Sequence, residues 1–311
     1  MSAPTVSVCI VTYNSANDIG ACLEAVSRQS IPVSIVIVDN ASVDHTLEAI
    51  SENRTDMPIK LIQNEVNNGF AGGQNQAIGA TNSDYALVLN PDVRLEPNYV
   101  EKLVDWMEQH PETGSATGQL VRADRPDLID STGLAIGLSR NAKDRGAGEA
   151  AINWNDDAEV FGVSGAASLY SRRMIEAISL DGEFFDEQFF AYKEDVDVAW
   201  RAQRLGWKSY YIPAAKALHA RGWKKGGRSS IPLFIRQHSY MNRFYTLLKN
   251  ESIGWHLLLV VPVVLALEGV KLGYILLREP ALLKCVPTFM KTIPSMLRKR
   301  RMINRLSRQL S

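Results

Sequence analysis

The stretch VSVCIVTYN, residues 6–14, decides how the chain is read: a short apolar run stops abruptly at a threonine, a tyrosine and an asparagine. A run of that length is a strand buried on both faces, and its polar end is where a parallel sheet turns into loops. The pattern returns in SIVIVD (34–39), IKLIQ (59–63) and YALVL (85–89). Between the first two, Ile19, Cys22, Leu23 and Val26 recur at the spacing of one apolar helix face. Leu47 and Ile50 mark a second helix, which Ser42 or Asp44 would cap. A helix near 74–80 and another bearing Val100, Leu103, Val104 and Met107 continue the alternation. Residues 5 to about 110 therefore form an α/β unit with a largely parallel sheet, whose ligand side lies at the strand C-termini.

Beyond residue 110 the regularity fades. Residues 120–158, rich in Asp, Arg, Gly and Ala, are expected as loop or irregular strand covering a site. Order returns with VFGVSGAASLYSRR (160–173), a strand entering a helix, DEQFFAYKEDVDVAWRAQRLG (186–206), a loop and a helix, and the strand KSYYI (208–212). The 311 residues suffice for one large domain or two modest ones. Three cysteines, Cys9, Cys22 and Cys285, are too few and too scattered for a disulfide framework or a zinc cluster, and fit a reducing cytoplasm. The N-terminus has no basic segment ahead of its first apolar run, so no secretory signal is expected.

The net charge of zero conceals an asymmetry. Residues 251–311 hold ten Lys/Arg against three Glu, a surplus that an acidic body balances. The apolar stretch IGWHLLLVVPVVLAL (253–267) precedes this basic tail, and its 15 residues fall short of a clean membrane span. An in-plane or re-entrant helix pair on a membrane surface is the expectation, with a buried helix of a soluble domain as the alternative. RKRR (298–301) has no interleaved aromatic residues, which favours an anionic membrane surface over nucleic acid.

Four separated features carry candidate chemistry. Thr12, Tyr13 and Asn14 end the first strand and Asp39 the second, where an acid can accept from a base N–H or a ribose hydroxyl. NNGFAGGQN (67–75) sets glycines before a helix, letting backbone approach a ligand closely; the G-x-G-x-x-G spacing of nicotinamide-dependent dehydrogenases is absent. FFAYKEDVDVAWR (189–201) gathers Glu194, Asp195 and Asp197 at a helix start, where repulsion raises one pKa and prepares a base. Asp197 with Arg201 is read as an ordinary i, i+4 pair. LHARGWKKGGRSS (218–230) places His219 before a basic loop with Arg221, Trp223 and Lys224, suited to neutralising a departing diphosphate. Trp200, Trp207, Tyr210 and Tyr211 are expected in the core, and Trp223 alone as a functional aromatic.

With these motifs in order over residues 5 to about 225, the chain resembles the inverting glycosyltransferases of family 2, which have the GT-A fold. LNPDV (89–93), which replaces the D-x-D of many such enzymes, and the preceding GFAGG (69–73) are similar to a rhamnosyltransferase-type branch that builds bacterial surface polysaccharides. The resemblance implies a GT-A domain over residues 1–230, then C-terminal helices and a basic tail over 231–311 that associate with membrane. It implies that Thr12, Tyr13, Asn14 and Asp39 hold the nucleotide, and that Asn67, Gly69, Phe70, Asn75 and Asn90 line the nucleotide-sugar pocket. Asp92 and His219 would bind a divalent metal, Mg²⁺ or Mn²⁺, Asp195 would be the base, and Glu194 would orient the acceptor. A single carboxylate suffices where Mg²⁺ draws other ligands from phosphates and water.

The expected reaction is hexosyl transfer, with dTDP-L-rhamnose as donor and a lipid-linked saccharide as acceptor, at the cytoplasmic face of the cell membrane. Two other classes compete. A non-catalytic nucleotide-sugar or glycan-binding subunit would keep the fold without turnover, and a nucleotidyltransferase would need a basic loop after the first strand, where VTYNSAND (11–18) has no Lys or Arg. The sequence leaves linkage position and self-association into a homo-oligomer open.

Overall fold

Alternate residues of the first strand go to opposite layers: Val6, Val8 and Ile10 pack into one buried cluster and Cys9 into another. That two-sided burial is why the strand reads as a continuous apolar run. The computed structural model of the chain describes residues 3–52, 57–221 and 231–310. Its strands are β1 (Val6–Thr12), β2 (Ser34–Asp39), β3 (Ile59–Gln63), β4 (Tyr85–Leu89), β5 (Val93–Leu95), β6 (Thr113–Arg122), β7 (Arg125–Ser131), β8 (Leu134–Ala135), β9 (Lys143–Asp144), β10 (Ala158–Val160), β11 (Ala167–Ser171) and β12 (Lys208–His219). Its helices are α1 (Ile19–Ser27), α2 (Thr46–Ser51), α3 (Gly69–Gly79), α4 (Tyr99–Gln109), α5 (Arg172–Ile178), α6 (Glu194–Arg204), α7 (Leu233–Asn250), α8 (Leu257–Arg278) and α9 (Val286–Leu310).

The sheet runs β10-β12-β6-β11-β4-β1-β2-β3, with β5 and β7 paired to β12 and β6. β1 to β4 are mutually parallel, as the alternation of strands and helices predicts, and β11 enters antiparallel between β4 and β6. One face buries α1 and α4 through Leu23, Val26, Leu103 and Met107; the other buries α3, α5 and α6 through Ala77, Ile178 and Val198.

Four local expectations are corrected. The helix after β3 starts at Gly69, five residues early, because Gly69 adopts a φ of +73° that turns the chain straight into it. Residues 120–158 are more ordered than their weak periodicity suggests, since β7 extends the sheet as an edge hairpin on β6. The strand at 208 continues to His219, its register on β6 shifting between Ile212 and Lys216 while its other edge passes from β10 to β5. Finally, 257–278 is one helix and not a pair: Glu268 is matched by Arg243 and Lys271, so the charges that shorten the apolar run do not interrupt it. At 1.5 Å per residue α8 is about 33 Å long. By length and composition alone it could cross a membrane, and much of it is uncovered, Leu258 being 79% and Leu277 84% exposed.

Candidate active site

The antiparallel entry of β11 builds the first half of the site. Ala167 pairs with Leu89 at the C-terminal end of β4, so Ala166 accepts the Asn90 N–H at 2.8 Å, and Gly165 N–H reaches Asp195 Oδ2 at 3.2 Å. The second half comes from β12, whose pairing with β5 sets His219 opposite Val93 while Ala220 N–H donates to the Asp92 carbonyl at 2.9 Å. Asn90-Pro91-Asp92 is thus a strand-ending turn held from both sides, and the turn presents Asp92. The two halves enclose a cleft of about 510 Å³ lined by Phe70, Asn90, Asp92, Glu194, Asp195, His219 and Arg221, among others.

His219 stands between two carboxylates. Its Nδ1 lies 2.7 Å from Asp130 Oδ2 and its Nε2 3.3 Å from Asp92 Oδ1. Burial pulls its pKa down, but the bonds to Asp130 and Asp92 outweigh burial and leave it raised. Arg221 donates to Asp130 at 2.7 Å and to Asp144 at 2.8 Å, so its guanidinium is tied down at the cleft wall. Asp130 resists burial by the same contacts, which hold its carboxyl below the usual range. A carboxylate on one ring nitrogen fixes the imidazole and leaves the other nitrogen beside Asp92, the arrangement that surrounds metal-bound histidines. The donor set, one carboxylate and one imidazole with room for phosphate oxygens, fits a divalent cation.

The acids of α6 lie across the cleft. Glu194 is buried, its Oε2 has no hydrogen-bond partner among the described residues, and burial followed by repulsion from Asp195 pushes its pKa well up. Asp195 is also raised, chiefly by desolvation, against the stabilising N–H groups of Gly165 and Val196. The chain reaches these acids through Phe190, Tyr192 and Lys193, all with positive φ. Such backbone costs about 1–3 kcal/mol per residue and persists only when its surroundings over-determine it. Asn242 of α7 does so, its Nδ2 lying 2.8, 3.0 and 2.7 Å from the carbonyls of Phe189, Ala191 and Tyr192.

A third group lies at the ends of β1 and β2. Asp39 accepts from Thr12 Oγ1 at 2.8 Å and from the Ser42 N–H at 2.9 Å, while Asn14 Oδ1 accepts from Val43 N–H at 2.9 Å. Tyr13 is 52% exposed beside them. Asn67 accepts from the Gly69 N–H at 2.8 Å, and a Cβ on Gly69 would stand 2.4 Å from the Phe190 carbonyl, so glycine is obligatory where this loop meets the strained one. Asn75 spends its amide on the Phe185 backbone and Glu187, joining α3 to the segment before α6 and not lining the cleft. Trp223 and Lys224 lie outside the described residues. Trp200 and Tyr211 are in the core as expected.

Sequence reasoning missed Asp130, Asp144, Asn40 and Asn242. Asn40 donates to the Gly69 carbonyl at 2.9 Å and accepts from Asn64 at 2.8 Å, tying the β2 end to the glycine loop. The one sign of Asp130 was the apolar pair Leu128-Ile129 before it, of which Ile129 is buried. Asp197 needs correction: with Arg201 it is no surface pair but a buried hub, bonded to Arg201 Nε at 3.0 Å, Lys249 Nζ at 2.9 Å and Asn250 Nδ2 at 2.7 Å.

Residues 7–179 match the model of glycosyl transferase family 2. The chain belongs to that family. It is similar to the N-acetylglucosaminyl-diphospho-decaprenol L-rhamnosyltransferase of Mycobacterium tuberculosis, 26% identical over 272 residues that cover 80% of this chain and 85% of the relative. Among solved structures it resembles residues 1–349 of Staphylococcus aureus TarS in complex with UDP-GlcNAc, with a TM-score of 0.60, 16% identity and coverage of 98% and 92%. It also resembles the mannosyltransferase PcManGT of Pyrobaculum calidifontis in complex with GDP-Man and Mn²⁺, with a TM-score of 0.59, 16% identity and coverage of 100% and 88%. The fold is GT-A and the protein is a glycosyltransferase.

Proposed function

We propose that this glycosyltransferase moves L-rhamnose from dTDP-L-rhamnose to a lipid-linked saccharide, with inversion at the anomeric carbon. The observation that carries the reaction is one cleft in which Asp195, partly desolvated, faces the paired Asp92 and His219. Asp195 accepts the proton of the acceptor hydroxyl as that oxygen attacks; its raised pKa suits it as a base near neutral pH. Glu194, its pKa pushed well up by burial and then by Asp195, orients the acceptor beside the base. Asp92 and His219 would hold Mg²⁺ or Mn²⁺, which when bound supplies positive charge to the departing diphosphate. Asp39, aligned by Thr12 and Ser42, faces the nucleotide end.

Support for the sugar and the acceptor is the similarity to the mycobacterial rhamnosyltransferase over most of both chains. Support for a membrane position, at the cytoplasmic face, is the uncovered apolar length of α8 followed by the basic α9. The test is nucleoside diphosphate release from a donor panel with a divalent cation, with and without membrane lipid extract. Release from dTDP-L-rhamnose that needs the extract supports the reading. Release from another donor replaces the sugar, and nucleotide binding with no release from any donor makes the protein a binding subunit.

A further inference from the structure

Beside the cleft lies a second cavity of about 730 Å³, walled by α7, α8 and the segment before α6. Tyr192, Lys193, Arg221, Ile235 and Ser239 line both spaces, so they adjoin at those residues. The far walls are apolar, formed by Val270, Tyr274 and Ile275 of α8 with Ile235 of α7. Its cations differ in what they already hold. Arg236 is paired with Glu279, Arg243 and Lys271 with Glu268, and Arg221 with Asp130 and Asp144. The Lys193 ammonium, at the joint, has no ion pair or side-chain hydrogen bond among the described residues, and burial pushes its pKa down against the attraction of Asp195 and Glu194. A partly desolvated cation that makes no contact ion pair favours an anion, and the apolar walls beyond it favour a chain that leaves water.

We propose that this cavity takes the phosphorylated head and first apolar units of a single-chain isoprenoid phosphate or diphosphate, the Lys193 ammonium meeting the phosphate at the joint with the cleft. The assignment deepens the lipid-linked acceptor proposed above and rests on that reading. The order of chemistry along the two spaces fits it: base, cation, then apolar wall. α8 continues the path, since the helix that walls the cavity exposes Leu265, Val270 and Leu276 along its length. A volume in the range of one drug-sized ligand suits the start of a single chain.

The test is calorimetric titration of the full chain with farnesyl diphosphate, farnesol and inorganic diphosphate, with dihexanoyl phosphatidylglycerol as competitor. Farnesyl diphosphate is expected to bind at least ~10-fold tighter than either fragment, about 1.4 kcal/mol, and Lys193→Gln and Val270→Asp are each expected to weaken it by a similar factor. Thermal melting checks that the variants fold; should Val270→Asp fail, Lys193→Gln decides alone. Farnesol binding as tightly as the diphosphate, unchanged binding by Lys193→Gln, or equal competition by the phospholipid would each overturn the proposal. Because the titration needs no donor and no turnover, binding without transfer would defeat the proposed reaction and keep this site, and transfer without binding would do the reverse.

Discussion

Three acids open α6 within four residues, and their surroundings diverge. Asp197 is fully buried and meets a guanidinium, an ammonium and a side-chain amide. Among the described residues Glu194, nearly as buried, leaves an oxygen without a hydrogen-bond partner, while Asp195 accepts from two backbone N–H groups. One helical turn thus separates an acid that fastens the C-terminal helices to the body from acids kept uncompensated beside the cleft. Buried carboxylates sort by their partners: a paired one is a clamp, and an unpaired one facing a cavity is a reagent.

Removing each acid in turn should separate the two roles. Asp195→Asn should lower kcat by roughly 10²–10⁴-fold with the melting temperature nearly unchanged. Asp197→Ala should do the opposite, costing about 3–5 kcal/mol in urea unfolding because Arg201 is left buried without its anion and Lys249 keeps only Asp186. If Asp195→Asn destabilises as much as Asp197→Ala while turnover persists, the sorting is wrong.

What the sequence displayed of this contrast was uneven. The strands β1, β2 and β4 were legible because two-sided burial writes itself as an apolar run, and Asp195 and His219 were legible through motifs. Asp197 was not, since an i, i+4 pair looks the same on a surface as in a core until Lys249, 52 residues on, closes over it. Asp130 was equally hidden, its partner His219 lying 89 residues away across β6. Local patterns report which face is buried; they carry nothing about charges that meet only after folding.

A pH series sharpens the clamp half of the comparison. Asp186 resists burial because Lys249 and Lys299 hold its pKa down to about 2. A carboxylate depressed from an unfolded value of ~3.9 contributes stability that is complete above that value and lost as pH falls through the folded one. Wild type should therefore exceed Asp186→Asn in unfolding free energy by more at ~pH 6 than at ~pH 2, with about 2 kcal/mol between the two differences. A gap that does not change with pH would remove Asp186 from the clamp.

The smallest effect tests whether the clamp side positions the reagent side. Asn242 belongs to α7, is not itself part of the cleft lining, and holds three carbonyls of the strained segment that delivers Glu194 and Asp195. Asn242→Leu keeps the volume and deletes the donors, so the segment loses what over-determines the positive φ of Phe190, Tyr192 and Lys193. Misplacing a base by a fraction of an ångström costs turnover more than ground-state binding, so kcat should fall ~10-fold while the donor KM moves little. A merely structural asparagine would lower the melting temperature and leave that split absent, since the folded fraction would keep its full rate per molecule.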